Sequence, residues 1–477
     1  NSADYAYAFG VNEFVLCASA YQPWIDKYPG STAGGKHYCL NRNNTYWEYS
    51  RPFWDYQARC SALMRKGVPV VDICVYLGQN PPVKLVTYRL PEIPEGYDFD
   101  VCTAEALVGR TMAVDGRLTL PTGISYSLLV IQRNNDMPLH VLRHIAGLVK
   151  GGVIVCGPRP DGSDSLKDKA ESEEYRALVD ELWGELTTVS QIRKVGKGKI
   201  YENIPLSEVL KYENIRPDIA IKSGNTAKDK VYFVHRRLSD ADVYFLNNHS
   251  DRAFHDTIRL RTDARQAEYW DAVTGQRYMI PVKASGEKGM LLNLTLAPRE
   301  SGFIVTSNNQ ATGLLPRIAD VQETITPIEG SWNVYFDPRW GGPGKVVFDE
   351  LIDWTVHADT GIRYYSGTAV YHKELNLAMP AQNERLLLRF PRLGSLARVW
   401  VNGKEVVTVW CSPWEADITS YVHEGKNNLK IEVVNSLMNR MIGDASLPES
   451  ERFTYAYPQI VTPTDKLVPS GIMEQLN

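Results

Sequence analysis

The sequence predicts a multidomain protein of the α/β plus all-β class, with a partial (β/α) barrel, a flavodoxin-like α/β unit, a β-sandwich and a C-terminal jelly roll. Three observations predict this class. Apolar runs typical of buried strands alternate with helical segments up to about residue 225. Short alternating strands separated by turn residues follow from about residue 229. The 477 residues are enough for about three domains at ~150 residues each.

Composition and motifs argue against several classes of function. The formal net charge is −4, so the chain has neither a basic footprint for nucleic acid nor a polybasic signal for a membrane. No apolar run is long enough to span a bilayer. The seven cysteines lack Cys-x-x-Cys spacing, which disfavours zinc and thioredoxin-like sites. Gly-x-Ser-x-Gly and His-Glu-x-x-His are absent, which disfavours serine hydrolases and zinc peptidases.

Residues 1–110 are expected to be the C-terminal part of a (β/α)8-type barrel. Residues 14–18 form a short apolar run that predicts a buried parallel strand. Apolar residues at helical spacing predict a helix that begins near Ser50 and ends at Gly67. The apolar residues 68–77 predict the next strand. A barrel needs eight such units in ~250 residues, so the barrel is incomplete in this chain.

Residues 111–225 are expected to form the flavodoxin-like α/β domain. Asp115-Gly116 predicts a type I′ hairpin between residues 111–114 and 118–120. Apolar periodicity beyond the hairpin predicts a βαβ unit and one more helix. The predicted elements are a strand at 126–131, a helix at 138–150, a strand at 153–157 and a helix at 173–186.

The remainder of the chain is predicted to be all-β. Residues 226–307 are expected to form a β-sandwich. Residues 308–329 are polar and contain proline, which predicts a linker. Residues 330–477 are expected to form a jelly roll, in which Asn402-Gly403 is the strongest hairpin signal.

The candidate site residues lie in the long loop 19–49 and directly after the strand 68–77. Both places open onto the C-terminal face of the strands in a βα-barrel, where active sites lie. Long loops are usually functional or disordered, and this one is too aromatic for disorder. The candidate residues are His37, Asn41, Arg42, Trp47, Glu48 and Gln79.

Some of these residues, and the nearby Asp72, also have a structural interpretation. Arg42 could pair locally with Asp55 or Glu48, and Trp47 could pack beneath the loop. Asp72 lies in an apolar run, so it must be paired if it is buried, and we favour a structural pair with Arg59.

Two stretches resemble known glycosidase families. Residues 398–444, with Val-Trp-Val-Asn-Gly-Lys and Arg440-Met441-Ile442-Gly443-Asp444, resemble the sugar-binding jelly roll of family 2 enzymes. The N-terminal stretch resembles the second half of the catalytic region in family 106 glycoside hydrolases, the α-L-rhamnosidases. The motifs are Gln22-Pro23, Pro29-Gly30, His37, Asn41-Arg42-Asn43, Thr45-Tyr46-Trp47-Glu48, Asp55-Tyr56-x-x-Arg59 and Asp72-x-x-x-Tyr76-x-Gly78.

The family 106 resemblance implies inverting hydrolysis of terminal rhamnosides in oligosaccharides or polysaccharides. It implies a bound calcium ion, with Glu48 as its ligand or as a carboxylate that contacts substrate. It implies substrate contacts from His37, Asn41, Arg42 and Trp47. The general base of the family is a Glu of a Gly-Glu pair, and here that pair is Gly78-Gln79. The general acid is expected upstream of this chain, which makes the N-terminal half of the same enzyme an expected partner.

Two other functions stay open. A non-catalytic carbohydrate-binding relative would explain Gln79, because Gln cannot accept a proton at neutral pH. A family 2-like β-glycosidase would require a complete barrel and a Glu pair, neither of which the sequence contains. The chain begins at Asn1 without a start methionine, so the lack of a visible signal peptide says nothing about export. We expect an extracytoplasmic protein, either periplasmic or secreted.

Overall fold

The computed structural model divides the chain into two compact units. It describes residues 2–17, 19–32, 40–78, 90–132, 137–160, 162–163, 172–185, 189–224, 230–309, 313–317, 324–381 and 384–474. Unit 1 comprises Asn1–Asn12 and Ser61–Ala319, and unit 2 comprises Glu13–Cys60 and Asp320–Asn477. None of the described helices is both long and apolar enough to cross a membrane.

A six-stranded sheet flanked by helices forms one layer of unit 1. Its strands, in spatial order, are Gln191–Val195, Gly198–Glu202, Ile154–Cys156, Leu128–Ile131, Ile73–Tyr76 and Phe99–Cys102. All neighbouring pairs are parallel except the first, which is antiparallel. The five parallel strands follow the order 2-1-3-4-5, which is the flavodoxin-like doubly wound order. The helices in this part of the chain are Ala104–Arg110, Leu139–Lys150, Ser172–Trp183 and Leu206–Tyr212.

The strand assigned to the barrel belongs to this flavodoxin-like sheet. Ile73–Tyr76 is its central first strand and pairs with Leu128–Ile131, so the domain boundary predicted at residue 110 falls inside one sheet. The preceding Val68–Pro69 pairs instead with Arg236 and Arg237 of the sandwich. The described parallel strands thus form an open sheet, and the assignment of 68–77 to a barrel was wrong. A buried apolar strand has the same sequence pattern in either architecture.

The strand predicted at residues 14–18 is also wrong. Residues 14–17 are in no strand, and residue 18 lies outside the described residues. Val15 is 96% exposed and Leu16 is 54% exposed, so the apolar run buries little surface in the described part of the chain.

Part of the segment 308–329, which is predicted to be a linker, packs against the β-sandwich. Within 313–317, Arg317 packs over the Tyr269 ring at 3.3 Å and donates to Glu300 at 2.7 Å.

Several local predictions are confirmed. Asp115 and Gly116 have φ values of 49° and 78°, as a type I′ turn requires, and they join Met112–Val114 to Arg117–Thr119. Ser125–Tyr126 completes that small sheet. The helix Leu139–Lys150 buries its apolar side in the core of the parallel sheet.

The β-sandwich of unit 1 has two sheets around a common apolar core. The six-stranded sheet contains Arg277–Ile280, Gln266–Trp270, Ser301–Ser307, Ala241–Asn248, Val231–Arg237 and Val68–Pro69 in that order. The four-stranded sheet contains Ile219–Ile221, Phe254–Leu260, Met290–Leu296 and Val282–Ala284. The N-terminal helix Ser2–Ala8 places Tyr7 against Phe245 with ring centroids 5.8 Å apart.

Unit 2 is mainly antiparallel β-structure. Its six-stranded sheet contains Gly344–Phe348, Trp332–Phe336, Thr368–Leu377, Gly425–Val434, Leu396–Val401 and Lys404–Val409 in that order. Three two-stranded sheets pair Leu387–Arg389 with Glu415–Asp417, Leu393–Gly394 with Gly471–Ile472, and Pro29–Ser31 with Tyr455–Tyr457. The predicted turn at Asn402-Gly403 is confirmed. The description of this unit as a jelly roll stays a prediction.

Short helices complete unit 2. They are Trp47–Tyr49, Pro338–Trp340, Trp354–Val356, Thr360–Arg363, Thr419–Tyr421, Met438–Asp444 and Glu449–Glu451. The helix predicted near Ser50–Gly67 is confirmed as Arg51–Met64, and it contains the boundary between the units.

Candidate functional site

Side-chain hydrogen bonds hold the backbone of the candidate loop in unit 2. Asn41 Oδ1 accepts from the Asn43 backbone N–H at 2.9 Å. Asn43 Nδ2 donates to the Lys27 carbonyl at 2.9 Å, and Thr45 Oγ1 donates to the Asn435 carbonyl at 2.7 Å. The first bond is local and the other two join the loop to residues distant in sequence, so the loop has a defined conformation without regular secondary structure.

The turn Trp47–Tyr49 is fixed to the six-stranded sheet of unit 2. The Tyr49 hydroxyl donates to Glu432 Oε2 at 3.3 Å. The Arg398 guanidinium lies over the Tyr49 ring at 4.2 Å and donates from Nη2 to the Glu48 carbonyl at 2.8 Å. Arg398 thus fixes the backbone of Glu48 and leaves its carboxylate unrestrained. Sequence reasoning missed this role, because Arg398 is about 350 residues away from the loop.

Three of the predicted site residues have side-chain groups that could bind a ligand: an exposed ring, a free carboxylate and an unpaired amide. Trp47 is 42% exposed, so it does not pack beneath the loop. The Glu48 carboxylate is exposed and makes no hydrogen bond or ion pair with any described residue. Asn41 Nδ2 is buried and has no hydrogen-bond partner in the described chain. An unpaired buried donor is uncommon in native proteins and often marks a bound group.

Arg42 has a different local partner from those expected. Its Nη2 donates to the Trp24 carbonyl at 3.2 Å, while Asp55 lies 3.7 Å from Arg51. Arg42 is exposed. His37 and Gln79 lie outside the described residues, so their roles stay predictions.

Asp72 is buried and paired, as expected, but its partner is Arg261 and not Arg59. Arg261 donates to both carboxylate oxygens, at 2.8 Å and 3.1 Å, and the Ser127 hydroxyl donates at 3.1 Å. Both of its oxygens thus accept hydrogen bonds from the interior of unit 1. Asp72 is a structural residue, since its carboxylate faces the protein.

Arg261 connects Asp72 to a buried chain of charges in unit 1 that sequence reasoning missed. Its Nε donates to Asp218 Oδ1 at 3.2 Å. Asp218 accepts from His235 Nδ1 at 2.9 Å, and His235 Nε2 donates to Asp242 at 3.0 Å. An ionised carboxylate can only accept, so His235 satisfies both carboxylates at once when both of its ring nitrogens carry protons. We name Asp72, Arg261, Asp218, His235 and Asp242 the buried charge network.

The network shifts the ionisation of its members. Burial lowers the pKa of His235, but the two carboxylates outweigh burial and raise the pKa above its ordinary value. Burial raises the pKa of Asp242, but the hydrogen bond and charge of His235 outweigh it and lower that pKa to about 2. Near the network, burial raises the pKa of Asp98 to about 7.

A cavity of about 160 Å³ lies in unit 1, beside the turn at Glu95 and Gly96. Its other lining residues are apolar: Pro217, Ile219, Ala220, Ile221, Val231, Phe233 and Leu246. It contains none of the predicted site residues, and one carboxylate among apolar side chains gives it no evident chemistry.

Replacing Arg398 by Ala is expected to loosen the turn Trp47–Tyr49. The change removes a hydrogen bond worth about 0.5–1.5 kcal/mol and a cation–π contact worth about 0.5–1 kcal/mol. Amide hydrogens of residues 47–50 should then exchange about tenfold faster by mass spectrometry. Arg385→Ala is the control, because its pair with Asp417 is exposed. Equal exchange in the two variants would contradict the positioning role.

Two family models match successive parts of the chain. The family model for glycoside hydrolase family 106, α-L-rhamnosidase, matches residues 1–283. The model for the family 2 sugar-binding domain matches residues 319–473. A protein of Formosa agariphila named as a candidate β-glucuronidase is 22% identical over 670 aligned positions, which cover 93% of this chain and 56% of that protein.

A solved structure shares the fold over nearly the whole chain. The rhamnosidase from Novosphingobium sp. PP1Y is 29% identical, with a TM-score of 0.88. The alignment covers 99% of this chain and 45% of that one, so the chain spans about half the length of the relatives it matches. The family model covers more than half of the chain, including the loop of Asn41, Trp47 and Glu48. The chain belongs to glycoside hydrolase family 106, the family of the α-L-rhamnosidases.

Proposed function

We propose that this chain is part of an α-L-rhamnosidase that hydrolyses terminal rhamnosides in oligosaccharides or polysaccharides. The observation that carries the proposal is that Glu48 has a free carboxylate and Trp47, its neighbour in sequence, an exposed ring, within the region that matches the family. An exposed indole offers an apolar face to a sugar ring, and a carboxylate accepts hydrogen bonds from its hydroxyls. The unpaired Asn41 amide adds a donor in the same loop.

The proposed reaction inverts the anomeric centre. One carboxylic acid protonates the leaving oxygen, and one carboxylate activates a water molecule on the opposite face, roughly 6.5–9.5 Å away. We place the base position of the family at Gln79 and the acid upstream of this chain. The Gln79 amide cannot take the proton of the attacking water, so the proposed reaction requires another carboxylate of the full-length enzyme for this step. The N-terminal half of the enzyme is therefore the proposed partner, and an extracytoplasmic location, periplasmic or secreted, suits a polymeric substrate.

The described residues do not by themselves make up a calcium site. Calcium takes six to eight oxygen ligands, usually with several carboxylates. Glu48 supplies one carboxylate, and no group of three or more His, Cys, Asp or Glu residues in the described chain could hold a metal ion. Calcium bound through Glu48 is therefore a proposal from the family, and no step of the reaction is assigned to it.

A second candidate function is carbohydrate binding without hydrolysis. The residue Gln79 favours it, because a Gln amide cannot act as a general base. The same loop would then bind rhamnosides through Trp47, Glu48 and Asn41 and leave them intact.

The proposal is tested on the full-length protein with aryl α-L-rhamnosides. Proton NMR should show β-L-rhamnose as the first product. Glu48→Gln should lower kcat/KM about 10–100-fold, because a hydrogen bond to a charged group contributes about 1.5–3 kcal/mol. Asp26→Asn, an exposed carboxylate in the same long loop, is the control and should change nothing. Preference for aryl β-D-glucuronides or β-D-galactosides would overturn the proposal.

A further inference from the structure

Arg440 of unit 2 is a buried cation whose outer edge has no partner among the described residues. The residue is 5% exposed and lies on the helix Met438–Asp444. Its Nε donates to Asp444 Oδ1 at 2.9 Å. Nη1 and Nη2 donate no hydrogen bond to any residue that the structure describes. One N–H group of each nitrogen points along the Nη1–Nη2 edge, so two parallel donors are available there.

Asp444 cannot turn to satisfy those donors, because its second oxygen is in use. Asp444 Oδ2 accepts from the Thr454 backbone N–H at 2.7 Å and from the Thr454 hydroxyl at 2.6 Å. The ion pair thus fixes the orientation of the guanidinium plane through Nε. The unused Nη1–Nη2 edge is one that can bind a carboxylate with two parallel hydrogen bonds.

Aromatic rings and glycines surround the guanidinium. Its Cζ lies 5.0 Å from the Phe453 ring centroid and 5.9 Å from that of Tyr364. A Cβ on Gly341 would lie 3.0 Å from Nη1, and one on Gly443 would lie 2.7 Å from Nη2. Glycine at both positions therefore keeps side-chain carbon away from the two terminal nitrogens.

Phe453 gives the site a partly open apolar wall. It is 43% exposed although its ring contacts a buried cation. A pyranose ring can lie on such a ring through its C–H face while a substituent reaches the arginine. Neutral sugars would use the ring alone, whereas an acidic sugar would use both groups.

We propose that Arg440 and Phe453 bind an acidic sugar, with the carboxylate of a uronic acid on Nη1 and Nη2 and its pyranose ring on Phe453. This site would recognise a charged residue of a saccharide chain in addition to any rhamnoside that the enzyme cleaves. The inference concerns binding alone and does not depend on the proposed hydrolysis.

Calorimetric titration of the full-length protein with methyl β-D-glucuronoside tests the proposal. The carboxylate form should bind, and its methyl ester should bind at least tenfold more weakly, because the ester has lost the charge. Arg440→Lys should weaken binding of the carboxylate form by at least tenfold, since an ammonium cannot form the two-point contact. Arg452→Lys is the control, because Arg452 is an exposed neighbour in sequence, and it should leave binding unchanged.

Phe453→Ala keeps the inference testable if Arg440→Lys fails to fold, because Phe453 is largely at the surface. It should lower the affinity for the glucuronoside and leave the low affinity for acetate unchanged. Equal binding of acid and ester would overturn the carboxylate contact, as would tighter binding of glucose 6-sulfate. Unchanged glucuronoside affinity in Phe453→Ala would overturn the placement of the sugar ring.

Discussion

Replacing Asp218 by Asn is expected to destabilise unit 1 by about 3–5 kcal/mol, the usual effect of removing one partner from a buried ion pair. Asp218 is 1% exposed and accepts from both His235 and Arg261. An Asn there keeps the shape of the side chain but leaves the buried His235 and the partly buried Arg261 without their shared counter-charge. The network joins the parallel sheet to the sandwich within unit 1, so both should loosen.

Asp251→Asn is the matched control. Asp251 pairs with Arg299 at 2.7 Å in the same unit, but it is 84% exposed at the side chain. Exposed pairs contribute about 0–1 kcal/mol. Urea unfolding, together with hydrogen exchange of peptides from residues 231–248 and 254–260, distinguishes the two variants. Equal midpoints would show that the buried charge network contributes no net stability.

The same network predicts that unit 1 loses stability as pH rises. The folded pKa of His235 is raised, so its contribution is complete below the unfolded value of ~6.5 and is lost as pH rises through the folded pKa. Asp98 also lowers the stability of unit 1 as pH rises from its unfolded pKa of ~3.9 to its folded pKa of about 7. Asp242, with a pKa of about 2, stabilises above ~3.9 and loses its contribution as pH falls through 2.

Unit 1 should therefore be most stable at mildly acidic pH. Urea midpoints measured from pH 4 to pH 9 should fall on the alkaline side. In His235→Gln the fall above pH ~6.5 should shrink, because the group that releases the proton is gone. His255→Gln, at an exposed histidine of the same unit, should keep the full pH dependence.

Local sequence patterns correctly predicted the helices and hairpins that form through interactions between residues close in sequence. The helix Leu139–Lys150 follows from apolar residues at helical spacing, and the hairpin at Asp115-Gly116 follows from residues that tolerate positive φ. The run at residues 14–17 has an equally good strand pattern, yet Val15 is exposed. A strand forms only when it pairs with another strand, and its own sequence does not show which strand that is.

Long-range pairing explains the other errors. Ile73–Tyr76 has the pattern of any buried parallel strand, so the pattern could not distinguish a barrel from a doubly wound sheet. Asp72 was correctly expected to be paired, but its partner Arg261 is 189 residues away. In the site, the exposure of Trp47 and Glu48 agrees with their proposed roles, whereas Arg398, which fixes their turn, has no local signal.

Replacing Gln79 by Glu is expected to raise rhamnoside hydrolysis by the full-length enzyme about 10²–10⁴-fold, the usual contribution of a general base. Glu and Gln have nearly the same shape, so the change adds a proton acceptor with little change in volume. The gained activity should decline at acid pH as the new carboxylate is protonated. A purely structural effect of residue 79 would raise activity without adding this acid limb to the pH profile.

The variant Gln79→Met controls for shape, because it keeps the length of the side chain without a carboxylate, and it should stay at the level of the unsubstituted protein. If the protein with Gln79 already hydrolyses rhamnosides at rates typical of glycosidases, a different carboxylate is the base. If the Gln79→Glu variant and the unsubstituted protein bind rhamnosides equally and neither cleaves them, the binding function is correct. In that case the exposed pair of Trp47 and Glu48 holds a sugar that no group of the protein is placed to hydrolyse.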